Sequence, residues 1–138
     1  MEKPEEVQRL GPSMRWLLMA CGPMNVIGAI GFLPLFPVTR NVLGLADSDP
    51  FFLWVLSAWI LAFGVAYSYQ AWSARANRMV LMLGAWGKAV FALQLIARAI
   101  TGQAPDFAAI AGLPDLVCAL VFVAWLWRHR PAKVLRKE

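Results

Sequence analysis

The chain has 138 residues, enough for one domain, and 60% of them are hydrophobic, against about 45–50% in a soluble domain. Only 15% are charged, the net charge is +5, and there are two cysteines and one histidine. That composition excludes a disulfide-rich scaffold, a four-cysteine zinc site and a multi-histidine metal or haem site, and it calls for lipid as the solvent of the excess apolar surface.

Four apolar runs follow one another along the chain, and they predict an all-α polytopic membrane protein, a single four-transmembrane-helix bundle over residues 1–138. The runs cover about Met14–Pro34, Pro50–Trp72, Met79–Ile100 and Phe107–Trp127. Each has the length that an α-helix needs to cross a hydrocarbon core of about 30 Å at about 1.5 Å per residue. Helix is expected because a spanning segment in lipid must satisfy its own backbone. The first run contains Pro23 and Asn25 and has no convincing cleavage site, so it reads as a span and not as a signal peptide. The longest connection, Leu35–Ser48, is expected to be a loop; Ser73–Arg78 and Gly102–Asp106 are short turns.

Orientation follows from the basic residues. Lys3, Arg9, Arg15, Arg75, Arg78, Arg128, Arg130, Lys133, Arg136 and Lys137 fall on one side, Arg40 and Arg98 on the other, and Lys88 inside the third span. The asymmetry predicts cytoplasmic termini and, in a bacterium, an inner-membrane location. The basic tail is expected to meet anionic lipid headgroups, with no nucleic acid as partner. Trp16, Trp72, Trp125 and Trp127 are expected at the cytoplasmic interface and Trp54 at the outer one; Tyr67, Tyr69 and Gln70 read as interfacial anchors.

Counting along the helices assigns depths. Asn25 lies ten residues beyond Arg15 and Lys88 ten beyond Arg78, each about 15 Å in; Asp115, nine beyond Asp106, is about 14 Å from the opposite face. All three fall near the midplane, where an isolated charge costs at least about 2.5–3.5 kcal/mol. Lys88 and Asp115 are therefore expected to pair, with Asn25 as a hydrogen-bonding neighbour. Small residues flank the cluster at helical spacing: Cys21, Gly22, Gly28 and Ala29 around Asn25, Ala111, Gly112, Cys118 and Ala119 around Asp115, and Gly84 and Gly87 before Lys88. Pro23 and Pro114 remove one amide each at the same depth and suggest interrupted helices around a cavity. Trp59, Trp86 and Phe91 are expected to supply its apolar walls. Cys21 and Cys118 share a depth, which makes a redox pair conceivable against the commoner role of buried small hydrophobe. Arg40, Gln94, Arg98, Asp47 and Asp49 could line an outer vestibule, or Arg98 could simply snorkel.

The segments Gly64-Val-Ala-Tyr67, Gly84-Ala-Trp-Gly-Lys88, Gly102-Gln-Ala-Pro105 and Gly112-Leu-Pro-Asp115 resemble, in order and spacing, a group of uncharacterised small bacterial membrane proteins with four spans. That group carries Gly-Lys in the third helix, a Gly-x-x-Pro turn, and Asn-Asp followed by tryptophan in the fourth. Gly87-Lys88 and Asp115 match; Pro114 replaces the asparagine, and Val117-Cys118-Ala119 lacks the tryptophan. The resemblance covers most of residues 15–127 and implies the four-span fold without an activity. Size and span count are also similar to DoxX-like membrane proteins, although the glutamate expected in their second helix is missing. Three functions fit these observations: binding, with transport as a variant, of a small or amphiphilic ligand at Asn25, Lys88 and Asp115; an accessory subunit beside a membrane partner or a second copy; or a membrane enzyme acting on a lipid or quinone, with Asp115 as acid or base. No cofactor is assigned.

Overall fold

A computed structural model describes residues 8–130; Lys3, Lys133, Arg136 and Lys137 of the expected basic clusters lie outside the described residues. The elements are α1 (Pro12–Phe32), α2 (Pro37–Val42), α3 (Pro50–Ser73), α4 (Arg78–Ile100) and α5 (Asp106–Arg128). α1, α3, α4 and α5 are each long and apolar enough to cross a bilayer. The chain is an all-α, multi-pass membrane protein. Its exterior agrees, because large apolar side chains such as Ile27, Val65, Trp86 and Leu120 are more than half exposed.

Local chemistry sets the helix ends. Proline at the first turn opens α1, α2 and α3, where its missing amide costs nothing. Asp49 caps α3 by accepting from the Phe51 amide at 2.8 Å, and Asn77 caps α4 by accepting from the Val80 amide at 3.1 Å. The expected loop over Leu35–Ser48 is in part helical. Pro37 starts the single turn and a half of α2, and Leu43 behind it is buried against Phe32, Leu95 and Ala108. Six residues are too short to stand out in a span-length apolar pattern.

α1 packs along α3, and α4 packs along α5; α3 and α4 scarcely touch although a short turn joins them. Glycine brings each pair close. A Cβ on Gly64 would stand 3.0 Å from the Gly22 carbonyl oxygen, and one on Gly112 would stand 3.2 Å from that of Ala92. These are the small-residue contacts that association in lipid favours, because packing replaces the hydrophobic drive. α1 and α5 run through Pro23 and Pro114 as continuous helices, so the expected interruptions do not occur. Each proline removes one intrahelical hydrogen bond, a local loss that the neighbouring turns carry.

Residues near the N-terminus, the α3–α4 turn and the end of α5 meet at one end of the bundle. The Leu10 amide donates to the Ala74 carbonyl, and the Arg78 guanidinium donates to the Leu126 and His129 carbonyls. The segment after α2 meets the α4–α5 turn at the other end, where Gly44 lies against Ala104 and Pro105. Two buried clusters result. One, toward the end with the α3–α4 turn, holds Leu18, Cys21, Tyr67, Leu81, Cys118 and Phe122; the other holds Phe32, Leu43, Leu95 and Ala108.

Candidate functional site

Between these clusters lies the midplane polar group. Lys88 on α4 is 8% exposed and donates to Asn25 Oδ1 on α1 at 3.1 Å and to Asp115 Oδ1 on α5, forming an ion pair. It is the only ion pair among the described residues. Asn25 in turn donates through Nδ2 to the Ile60 carbonyl on α3 at 3.3 Å. One chain of hydrogen bonds therefore crosses all four spans and joins the α1–α3 pair to the α4–α5 pair. The pairing follows from cost: each charge alone at this depth carries a large desolvation penalty, and the partner at the same height offsets it.

A cavity of about 290 Å³ opens beside this network. Asn25, Lys88 and Asp115 form its polar wall; Phe32, Phe63, Tyr67 and Phe91 are among its apolar ones. Leu56 and Trp59 on α3 and Leu83 on α4 line it too, and they are 42%, 64% and 49% exposed. The cavity is thus open sideways where α3 and α4 part, toward the region occupied by lipid. Lys88 has three N–H groups, and the protein takes two of them. Asp115 Oδ2 has no hydrogen-bond partner among the described residues. The wall accordingly has both donor and acceptor capacity to spare.

Of the six residues expected at the site, Asn25, Lys88, Asp115, Trp59 and Phe91 line this cavity. Trp86 does not. It is 73% exposed and points to the outside of the bundle, because two residues of helix rotate it by about 200° from Lys88. Tyr67 belongs to the site and was expected at the interface. Only 1% of it is exposed, its ring meets Phe122 edge-on with centroids 5.5 Å apart, and its hydroxyl lies against Gly84. The signal available for it was Gly84, one turn before Lys88, which leaves a ring-sized gap at that height. Gln70 is buried as well, and its Oε1 accepts from the Asn77 amide at 2.7 Å to brace the α3–α4 turn. Trp125 is 9% exposed, with the exposed His129 ring stacked on it, whereas Tyr69 and Trp127 keep the exposure expected of anchors.

The residues considered for an outer vestibule have separate local environments. Asp49 caps α3, Asp47 and Gln94 are exposed, and Arg40 is buried with its Nη1 donating to the Leu33 carbonyl at 3.0 Å. No group of three or more metal-ligating side chains occurs among the described residues.

The Tyr67–Gly84 contact makes a testable contrast. A Cβ at position 84 would collide with the Tyr67 hydroxyl oxygen, whereas one at position 87 meets nothing within 4 Å. Gly84→Ala should displace the buried ring and lower stability by about 1–3 kcal/mol. Gly87→Ala should be neutral or stabilising by up to about 1 kcal/mol, since alanine favours helix. Thermal unfolding of both variants in one detergent checks this; equal losses would mean that Tyr67 is not seated on Gly84.

Compared with family models, curated proteins and solved structures, the chain matches none of them.

Proposed function

We propose that this protein binds a small amphiphilic molecule taken up sideways from the bilayer and held by Asn25, Lys88 and Asp115. The observation that carries the reading is the cavity itself: polar groups with unused hydrogen-bonding capacity face an apolar, aromatic space that opens where lipid lies. A device that only fixed helix register would need the ion pair but no space beside it. Pockets with mostly apolar walls and a few convergent polar groups are the usual form of small-molecule sites.

The charges narrow the ligand. Lys88 is already neutralised by Asp115, and a further charge would be costly in this low-dielectric surrounding. A neutral ligand is favoured, with an apolar body against Trp59 and Phe91 and a hydrogen-bonding group toward Lys88 and Asp115.

The location we propose is a bacterial inner membrane with both termini in the cytoplasm. Arg9, Arg15, Arg75, Arg78, Arg128 and Arg130 against Arg40 and Arg98 support that orientation, and the resemblance to small bacterial four-span proteins supports the source. At the basic end, Arg78, Trp127 and Arg130 border a surface groove suited to an anionic headgroup.

Native mass spectrometry of the protein released from membrane in mild detergent tests the ligand. The wild-type chain should carry a small molecule, and Lys88→Met/Asp115→Leu should fold and lose it by at least about tenfold, equivalent to about 1.4 kcal/mol. A folded double variant that keeps the same molecule at the same occupancy would overturn the site.

A further inference from the structure

The two helix pairs meet at a second place that the ligand site does not use. Cys21 on α1 and Cys118 on α5 are free thiols whose Sγ atoms are 3.2 Å apart. They are 0% and 5% exposed, and they are the only cysteines in the sequence. Cys21 lies four residues before Asn25 and Cys118 three residues after Asp115, so both sulfurs sit one helical turn from the polar network. Alanine and glycine fill the neighbouring small-residue sites, as at Gly22, Ala29, Gly112 and Ala119.

We infer that Cys21 and Cys118 form a reversible disulfide that fastens α1 to α5 and so ties the two helix pairs together covalently. Approach by about 1 Å brings the sulfurs to bonding distance. The oxidant class is a small neutral peroxide, which crosses lipid and can enter the open cavity one turn away. In the first step one thiol attacks the peroxide O–O bond; the sulfur becomes a sulfenic acid and one water leaves. In the second, the other sulfur displaces the sulfenic oxygen, which leaves as a second water with the remaining thiol proton. Two thiols and one hydrogen peroxide thus give one disulfide and two waters. The second sulfur is already in contact, so closure should outrun further oxidation of the first. Reduction by a permeant dithiol reverses the reaction by thiol–disulfide exchange.

The full-length protein in lipid vesicles tests the inference, with hydrogen peroxide as the oxidant and dithiothreitol as the reductant. After peroxide the cysteine-bearing peptides should be joined and lighter by two hydrogens, and dithiothreitol should restore both. Trypsin cleavage at the exposed Arg75 separates the Cys21 and Cys118 halves of the chain. The cut halves of oxidised protein should run together without reductant and apart with it, and those of Cys21→Ser and Cys118→Ala should run apart in both conditions. Three results would overturn the inference: thiols that alkylate fully in SDS after peroxide, oxygen added to one cysteine peptide with no link, or a link between two chains in place of one within a chain. The readout involves no ligand, so a failed ligand site leaves this result unaffected.

Discussion

Replacing either Lys88 or Asp115 alone should destabilise the bundle by about 3–5 kcal/mol, and replacing both should recover most of that loss. The reasoning starts from what each single change leaves behind. Asp115→Asn leaves an ammonium that is 8% exposed with only the Asn25 oxygen and a neutral amide near it. Lys88→Met leaves a carboxylate with no cation, since no other ion pair reaches it among the described residues. It also strips Asn25 of the donor to its Oδ1, so the connection from α5 through α4 and α1 to the Ile60 carbonyl breaks in the middle. Lys88→Met/Asp115→Asn removes both charges together, and the desolvation penalty disappears with the attraction. Reversible unfolding in mixed detergent micelles, read as a double-mutant cycle, gives the coupling directly. Additive losses would mean that the two groups do not interact in the membrane.

The other large effect is expected at the α1–α3 contact. A Cβ at position 64 already meets the Gly22 carbonyl oxygen at 3.0 Å, Asn25 Cβ at 3.1 Å and Val26 Cγ2 at 3.3 Å. The first of these is backbone and cannot rotate away. Gly64→Leu adds three carbons beyond that Cβ, so α1 must move off α3. The cost should be at least about 1–3 kcal/mol, the usual range for overpacking. Asn25 moves with α1, and so the hydrogen bond to Ile60 should lengthen at the same time. Val65→Leu, one residue on, adds a carbon to a side chain that is 60% exposed and should change stability by no more than about 0.5 kcal/mol. Unfolding of the two variants side by side decides the matter; similar losses would show that the glycine contact is not what holds α1 to α3.

Much of the architecture was written in the sequence because lipid imposes simple rules. A span must be about 20 apolar residues long and helical, so four runs gave four helices with ends within a few residues of those expected. Depth was legible too. Helix rise is fixed, and counting from Arg15, Arg78 and Asp106 brought Asn25, Lys88 and Asp115 to one height, where they do bond. Direction around the helix was legible only where a polar or very small residue marked it. A soluble helix shows its inner face by its apolar stripe, but a spanning helix is apolar on both faces, one toward protein and one toward lipid. That is why Trp86 and Phe91, both large and apolar near Lys88, could not be told apart, although one faces outward and the other lines the cavity. The same ambiguity hid Tyr67, whose hydroxyl and position near a span end suited an interface equally well. Which neighbours pair closely was also beyond the sequence. The turns before and after α4 are both short, yet α4 packs along α5 and scarcely touches α3, while glycines at 22, 64 and 112 draw α1 to α3 and α4 to α5. Close packing at those glycines fixes where the helices touch, and the gap left between α3 and α4 becomes the cavity. The 3.2 Å approach of Cys21 to Cys118 has the same origin: a shared depth was countable, but a shared azimuth exists only once four helices have packed.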